Sequence, residues 1–309
     1  MKVIKKILIT GSSGTIGTRL FEKLLERGNK VVGFDKRPNI WHLGLDKLTI
    51  RGNLLNQKDI NKIPVNYDLI VHLAANPYVH NSVLNPDLAK ENMDMTYNIL
   101  EFARRKKIKN FIFSSSREIY GNKEGKSPFK EKDVSIALSE SPYAATKIGA
   151  EALIYAFSKC YGINYIVFRL SNVYGKYDCS DRFFPQMIRR MNKNQDVYIY
   201  GKDKFLDFTY IDDCTEGIIS GIEKLPKVNN NTFNIATGKG CKLTKVARLL
   251  KDSLGSKSKI IVKPSQRGEV IKFIADISKA RKELDYRPRY SLQRGIKLTL
   301  NWYLKNRVF

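Results

Sequence analysis

Lys6-Ile7-Leu8-Ile9-Thr10-Gly11-Ser12-Ser13-Gly14-Thr15-Ile16-Gly17-Thr18-Arg19-Leu20 is the stretch that decides how the rest of this 309-residue chain is read. The apolar run Ile7 to Ile9 has the character of a buried parallel strand. It breaks into a turn carrying glycines at 11, 14 and 17, and an apolar-periodic helix follows through Ile16, Leu20, Phe21, Leu24 and Leu25. In such a unit Gly11 makes the tight turn, Gly14 lets backbone N–H groups approach a pyrophosphate, and Gly17 lets helix and strand pack closely. The helix start then offers its orphan N–H donors and positive dipole end to the phosphates. Gly28 closes the helix, Lys30 to Phe34 forms a second apolar strand, and Asp35 stands at its end. An acid about twenty residues past the turn is placed to accept hydrogen bonds from an adenosine ribose, which predicts NAD. Lys36 and Arg37 follow at once and pull toward a 2′-phosphate instead.

The alternation continues. Leu48 to Leu54 reads as a third strand and Tyr67 to Leu73 as a fourth, running into Ala74-Ala75-Asn76-Pro77. Pro86 to Lys107 reads as a long helix, and Asn110 to Phe113 as a strand ending in Ser114-Ser115-Ser116. This rhythm predicts an α/β fold, a doubly wound parallel sheet with its ligand at the carboxyl ends of the strands, where Gly11, Asp35, Asn53, Ala74 and Ser114 fall. After a polar loop with Gly121, Gly125 and Pro128 comes a helix with Ser141 as N-cap and Pro142 in its first position, ending at Gly162. Tyr143 and Lys147 lie one turn apart on one face of it. A phenol near pKa 10 is a poor base at neutral pH. An adjacent ammonium and the positive ring of an oxidised nicotinamide are expected to lower that value. Tyr143 would then take a proton from a substrate hydroxyl held also by Ser116.

The formal charge is +25, which invites a nucleic-acid partner. Against one, the basic residues are spread along the chain, as at Arg104 to Lys107, Arg189-Arg190 and Lys257/Lys259, with no zinc-finger spacing or aromatic-basic signature. A positive surface suits an anionic small substrate equally well. Four cysteines at 160, 179, 214 and 241 show no CxxC spacing, and with three histidines they give a metal site no support. The N-terminus runs straight into a strand and no apolar run approaches membrane length, so a cytoplasmic protein without a secretory leader or membrane span is expected.

The glycine turn, Leu73-Ala74-Ala75, Ser114-Ser115-Ser116-Arg117-Glu118-Ile119-Tyr120-Gly121 and the Tyr143/Lys147 pair resemble the extended short-chain dehydrogenase/reductases that act on nucleotide sugars. The resemblance continues through Arg169 to Gly175, Asp207 to Asp213, Phe233 to Gly238 and the tail from Ala275 to Tyr303. It implies a Rossmann domain over 1–170 that keeps NAD bound, to which a segment near 206–238 returns. A smaller C-terminal α/β lobe over 171–309 would hold the nucleotide sugar. It also implies catalytic roles for Ser116, Tyr143 and Lys147. Cofactor contacts are implied for Gly11, Gly14, Thr15, Ile16, Gly17, Asp35, Lys36, Asn53, Leu54, Leu73, Ala74, Ala75, Ser114, Tyr143, Lys147 and Leu170. Substrate contacts are implied for Ser82, Ser116, Glu118, Asn172, Arg182, Tyr200 and Arg267. The family pairs helices such as 86–107 and 142–161 into a dimer interface, for which Phe102, Tyr155 and Phe157 offer apolar surface, so a homodimer is expected.

Several positions depart from the family pattern. Asn53 replaces the Asp that commonly meets adenine. Leu206 replaces an Arg that commonly meets the substrate phosphate, a contact left to a neighbour such as Lys202 or Lys204. In Gln266-Arg267-Gly268-Glu269 the Arg lies one residue too close to the Gly. Three reactions share the Tyr/Lys/NAD machinery: 4-epimerisation, 4,6-dehydration and decarboxylation of a uronate. The family's dehydratases carry an Asp-Glu pair after the catalytic hydroxyl, and Arg117-Glu118 lacks the first carboxylate. Glu118 keeps decarboxylation open, and Arg117 would either hold a uronate carboxylate or form an ion pair with Glu118. The expected activity is 4-epimerisation of a nucleotide sugar, a UDP-hexose, through a transient 4-keto sugar. A reading of another class, a non-catalytic NAD-binding regulatory protein, is opposed by the intact Ser116, Tyr143 and Lys147.

Overall fold

A computed structural model describes residues 6–123 and 127–308; Gly125 of the polar loop lies outside the described residues. The strands are β1 (Lys6–Thr10), β2 (Lys30–Asp35), β3 (Thr49–Arg51), β4 (Leu69–His72), β5 (Asn110–Ser116), β6 (Asn164–Leu170) and β7 (Asn172–Tyr174). They continue with β8 (Val197–Tyr200), β9 (Phe205–Tyr210), β10 (Asn231–Ile235), β11 (Gly240–Lys242), β12 (Ile260–Lys263) and β13 (Lys272–Phe273). Seven of them form one parallel sheet in the order β10-β6-β5-β4-β1-β2-β3. The fold is α/β, of the Rossmann type.

β1 is central, with Ile7 to Thr10 registered against Val31 to Phe34 on one side and Leu69 to His72 on the other. Helices cover both faces, so its side chains alternate between two separate cores: Ile7 and Ile9 join one, Leu8 the other. The chain winds outward from β1 to β3, then returns to β4 and winds the other way. That reversal opens a crevice at the carboxyl ends of β1 and β4, the usual ligand position in such sheets.

Beyond β6 the chain builds a smaller lobe. β9 pairs with β7 and β13 in parallel and with β11 antiparallel, while β8 pairs with β12 in a two-stranded parallel sheet. Between these parts, the helix Ile211–Val228 and β10 go back to the large sheet. That helix is clamped to the first helix, Thr15–Glu26, by Arg19–Asp212 at 2.5 Å and Lys23–Glu216 at 2.7 Å. Phe205–Tyr210 belongs to the smaller sheet, and the returning segment is Ile211–Ile235. Asp207 ties the two parts together: its carboxylate accepts from Thr237 N at 3.0 Å, Thr237 Oγ1 at 2.6 Å and Gly238 N at 2.8 Å.

The long helices are Asp87–Arg105 and Pro142–Tyr161. Phe102 and Phe157 are buried within this chain and Tyr155 is half-buried, hydrogen-bonding Glu151 and Thr232, so none of the three is a free apolar surface. The exposed aromatics on these helices are Tyr97 and Tyr161. Among the described residues no helix is long and apolar enough to cross a membrane, and no group of His, Cys, Asp or Glu is arranged to hold a metal ion.

Candidate active site

Two cavities meet at the crevice. One, of about 520 Å³, lies over the glycine turn; the other, of about 570 Å³, lies between the end of β5, the start of helix Pro142–Tyr161 and the smaller lobe. Ile16, Leu73, Ser114 and Arg182 line both, so the cavities form one continuous trough.

The first cavity is made mainly of backbone. Gly11 has φ +73, and a Cβ there would stand 2.6 Å from Ala74 N. A Cβ at Gly17 would stand 2.1 Å from Gly11 O, so any side chain would force helix and strand apart. Asp35 is buried at the end of β2; its Oδ2 accepts from Ser13 N at 3.0 Å and its Oδ1 from Arg37 N at 2.9 Å. The carboxylate is thus fixed at the turn, with lone pairs left for a ribose. Ser13 Oγ is buried there without a partner. A close backbone cradle, a fixed acid and an unpartnered hydroxyl fit a dinucleotide. Gly11, Gly14, Thr15, Ile16, Gly17, Asp35, Lys36, Asn53, Leu54, Leu73, Ala74, Ala75 and Ser114 all line this cavity; Tyr143, Lys147 and Leu170 line the other.

The second cavity is made of side chains. Ser141 Oγ accepts from Ala144 N at 3.2 Å and Pro142 opens the helix, which places Tyr143 in its first turn, near the positive end of the helix dipole. Ser116 and Tyr143 line the same cavity, and the Ser116 hydroxyl accepts from Glu118 N at 3.2 Å. Lys147 Nζ donates to Ser114 O at 2.8 Å and lies 5.8 Å from the centre of the Tyr143 ring. Burial pushes the phenol up to about 12, against the Ser116 hydroxyl and the Arg182 and Arg117 charges. Burial also pulls the Lys147 ammonium down to about 8, against the pull of Glu151. The expected lowering needs the positive nicotinamide as well as Lys147; without the cofactor the ammonium is turned to the Ser114 carbonyl and burial sets the direction for the phenol.

Among the expected substrate residues, Ser116, Glu118, Asn172, Arg182 and Tyr200 line this cavity, and Ser82 and Arg267 do not. Ser82 is buried beneath it, donating to Val79 O at 2.6 Å and accepting from Tyr143 N at 3.3 Å. It positions the base from behind. Arg267 is exposed, and Gln266 takes the place on the wall. Asn172 is committed to the protein, its Oδ1 accepting from Arg117 Nε at 3.1 Å and its Nδ2 donating to Asp207 O at 2.9 Å. Of the two lysines near Leu206, Lys204 is buried in the cavity wall and pairs with Glu269, whereas Lys202 is exposed. Arg117 and Glu118 form an ion pair at 2.6 Å. Burial raises the Glu118 pKa, and the Arg117 charge opposes the rise.

His80, whose Nδ1 is buried without a partner, and Glu269 were not anticipated. His80 sits on the short helix Val79–Leu84, six residues with no strong periodicity, and Glu269 is brought in by a loop of the smaller lobe.

Residues 7–236 match the model of the NAD-dependent epimerase/dehydratase family. The chain belongs to this family. A UDP-glucuronate 4-epimerase of Thermodesulfobacterium geofontis is 30% identical, with 97% of this chain and 96% of that protein covered. Among solved structures, the UDP-glucose 4-epimerase of Thermotoga maritima with UDP-glucose matches with TM-score 0.88 and 30% identity, covering 98% of this chain and 99% of that one. The UDP-glucuronic acid 4-epimerase of Bacillus cereus, in complex with UDP-glucuronic acid and NAD, matches with TM-score 0.89 and 30% identity, covering 97% and 99%. This family member is therefore an NAD-dependent nucleotide-sugar epimerase, with NAD as its cofactor.

Proposed function

We propose that the chain interconverts the C4 epimers of a UDP-hexose, with Ser116, Tyr143 and Lys147 as its catalytic set. The observation that carries this reading is the convergence of Ser116, Tyr143 and Lys147 on the wall of the second cavity, with Lys147 Nζ 5.8 Å from the Tyr143 ring, directly beside the cavity that fits NAD. Bound NAD supplies a hydride acceptor and donor for C4 and a positive ring that offsets the burial of a phenolate. Ser116 holds the C4 hydroxyl oxygen, and Tyr143 takes its proton as the carbon becomes a ketone. Lys147 fixes the trough floor through Ser114 and keeps donors for the cofactor side. After the 4-keto sugar turns over in the wide second cavity, the opposite face of C4 is turned to the cofactor side, and Tyr143 returns the proton to the C4 oxygen as the ketone is reduced. Tyr200, half-exposed on the wall, is placed to cover the base, and Lys204 to meet the diphosphate in place of the arginine that Leu206 displaces.

Elimination of water across C5 and C6 is not favoured, because the position before Glu118 is Arg117 and the Glu118 carboxylate is tied to it. We further infer a cytoplasmic homodimer pairing the helices Asp87–Arg105 and Pro142–Tyr161, supported by the exposed Tyr97 and Tyr161 and testable by sedimentation. NMR analysis of products from UDP-glucose, UDP-galactose and their uronic and N-acetyl forms tests the reaction. C4 epimers without net NADH formation are expected; a pentose or a 4-keto-6-deoxy sugar overturns it.

A further inference from the structure

Four buried polar atoms in residues of the second cavity's wall have no hydrogen-bond partner: His80 Nδ1, Ser115 Oγ, Arg117 Nη1 and Glu118 Oε2. Ser115 is 4% exposed and Glu118 6%. Every other polar arm of the Arg117–Glu118 pair is engaged. Arg117 Nε donates to Asn172 Oδ1 at 3.1 Å, and Arg117 Nη2 meets Glu118 Oε1 at 2.6 Å. Two residues of the cavity wall thus carry one free donor and one free acceptor, both buried, a combination that is costly unless something completes it.

We propose that the Arg117–Glu118 pair is a hydroxyl clamp that makes the enzyme select a neutral hexose and reject the corresponding uronate. This rests on the C4-epimerase reading, which places the sugar's reacting carbon at Ser116 and Tyr143, one residue from the clamp. A hydroxyl is donor and acceptor at once, so it accepts from Nη1 and donates to Oε2. A uronate carboxylate is acceptor-only: it satisfies Nη1 and then sets a lone pair against the carboxylate of Glu118.

Charge gives a second, independent reason. Besides Lys147, whose ammonium is bonded to a backbone carbonyl, the Lys and Arg residues of this wall are already paired: Arg117 with Glu118, Lys204 with Glu269, and Arg182 with Asp178 at 2.9 Å. A UDP-uronate brings one negative charge more than a UDP-hexose into a wall whose cations are balanced. The two solved relatives, one crystallised with UDP-glucose and one with UDP-glucuronic acid, are equally similar at 30% identity, so the choice falls to these local atoms.

The test compares NAD-loaded wild type and Glu118→Gln with UDP-glucose and UDP-glucuronic acid, reading kcat/KM for each. Wild type is expected to favour UDP-glucose by at least about tenfold. In E118Q, Arg117 becomes an uncompensated cation beside a neutral amide, and the preference is expected to fall by at least about tenfold, with the uronate gaining. A wild-type ratio near or below one overturns the proposal whatever the variant does. So does a ratio that E118Q, folded by its melting curve, leaves unchanged. If neither sugar is epimerised, the C4 reading fails while the clamp stays testable. The dissociation constants of both UDP-sugars, measured by calorimetry on the same two proteins, must then show the same preference and the same shift, and equal affinities overturn it.

Discussion

The two halves of the trough are built on opposite principles. The cofactor half is a backbone cradle in which glycines are required because neighbouring main chain leaves no room for a Cβ, at 2.1 Å for Gly17 and 2.6 Å for Gly11. The sugar half is a wall of side chains whose charges are paired with one another, Arg117–Glu118, Lys204–Glu269 and Arg182–Asp178. A backbone cradle tolerates little change and fixes what binds. A wall of ion pairs keeps its shape while individual residues change, and so it decides which sugar is turned over. The same fold can therefore hold one cofactor throughout a family and vary its substrates.

The difference between the halves is open to experiment. Removing the shared reacting group should have the largest effect: Tyr143→Phe should lower kcat by about a thousandfold while the protein still purifies with NAD. Retained turnover within tenfold of wild type would move the base elsewhere.

Lys147 gives a pH signature. Its folded pKa, about 8, lies below the unfolded value of 10.5. Between these values the unfolded chain binds a proton that the folded chain has released, so this one group adds stability to the cofactor-free protein as pH rises across that window, by roughly 3 kcal/mol, against the buried tyrosines whose raised pKa values work the other way. In denaturant unfolding, the change in stability from pH 8 to 10.5 should be more favourable for wild type than for Lys147→Met; equal changes would mean that the ammonium is not desolvated.

On the cofactor side, Asp35→Ala should weaken NAD by about ten- to a hundredfold and narrow its advantage over NADP, since Lys36 and Arg37 remain on the cavity wall. Unchanged affinity by fluorescence titration would remove Asp35 from ribose recognition. The smallest effects separate wall from surface. Lys204→Met should raise the KM for the nucleotide sugar about tenfold, whereas Arg267→Ala should leave it within about twofold. The reverse result would restore Arg267 to the site.

The same contrast governs how much could be read from the sequence. β1, its turn and the helix after it were legible because three glycines and an apolar run reflect local backbone demands. Tyr143 and Lys147 were legible because helical spacing puts them on one face and Ser141-Pro142 marks the helix start. The place of Ser82 beneath the cavity was not legible because it depends on a long-range contact, Tyr143 N to Ser82 Oγ, across 61 residues. The exposure of Arg267 was not legible because a one-residue slip in a loop exchanges wall for solvent, and Gln266 is the residue on the cavity wall. The rise of the Tyr143 pKa was not legible at all: spacing shows that Lys147 is near, but not that its ammonium is turned to Ser114 O or that burial prevails. Lys204 was one of two named substitutes for the missing arginine, and only the pairing of β9 with its neighbours shows which lysine turns inward.

The account is tested most directly by incubating the NAD-loaded enzyme with UDP-glucose in D2O and following carbon-bound deuterium by NMR. Oxidation and reduction at C4 alone, with Tyr143 exchanging only hydroxyl protons, predicts a mixture of UDP-glucose and UDP-galactose with no deuterium on any ring carbon. Deuterium at C5, or a product altered at C6 without a C4 epimer, would contradict it.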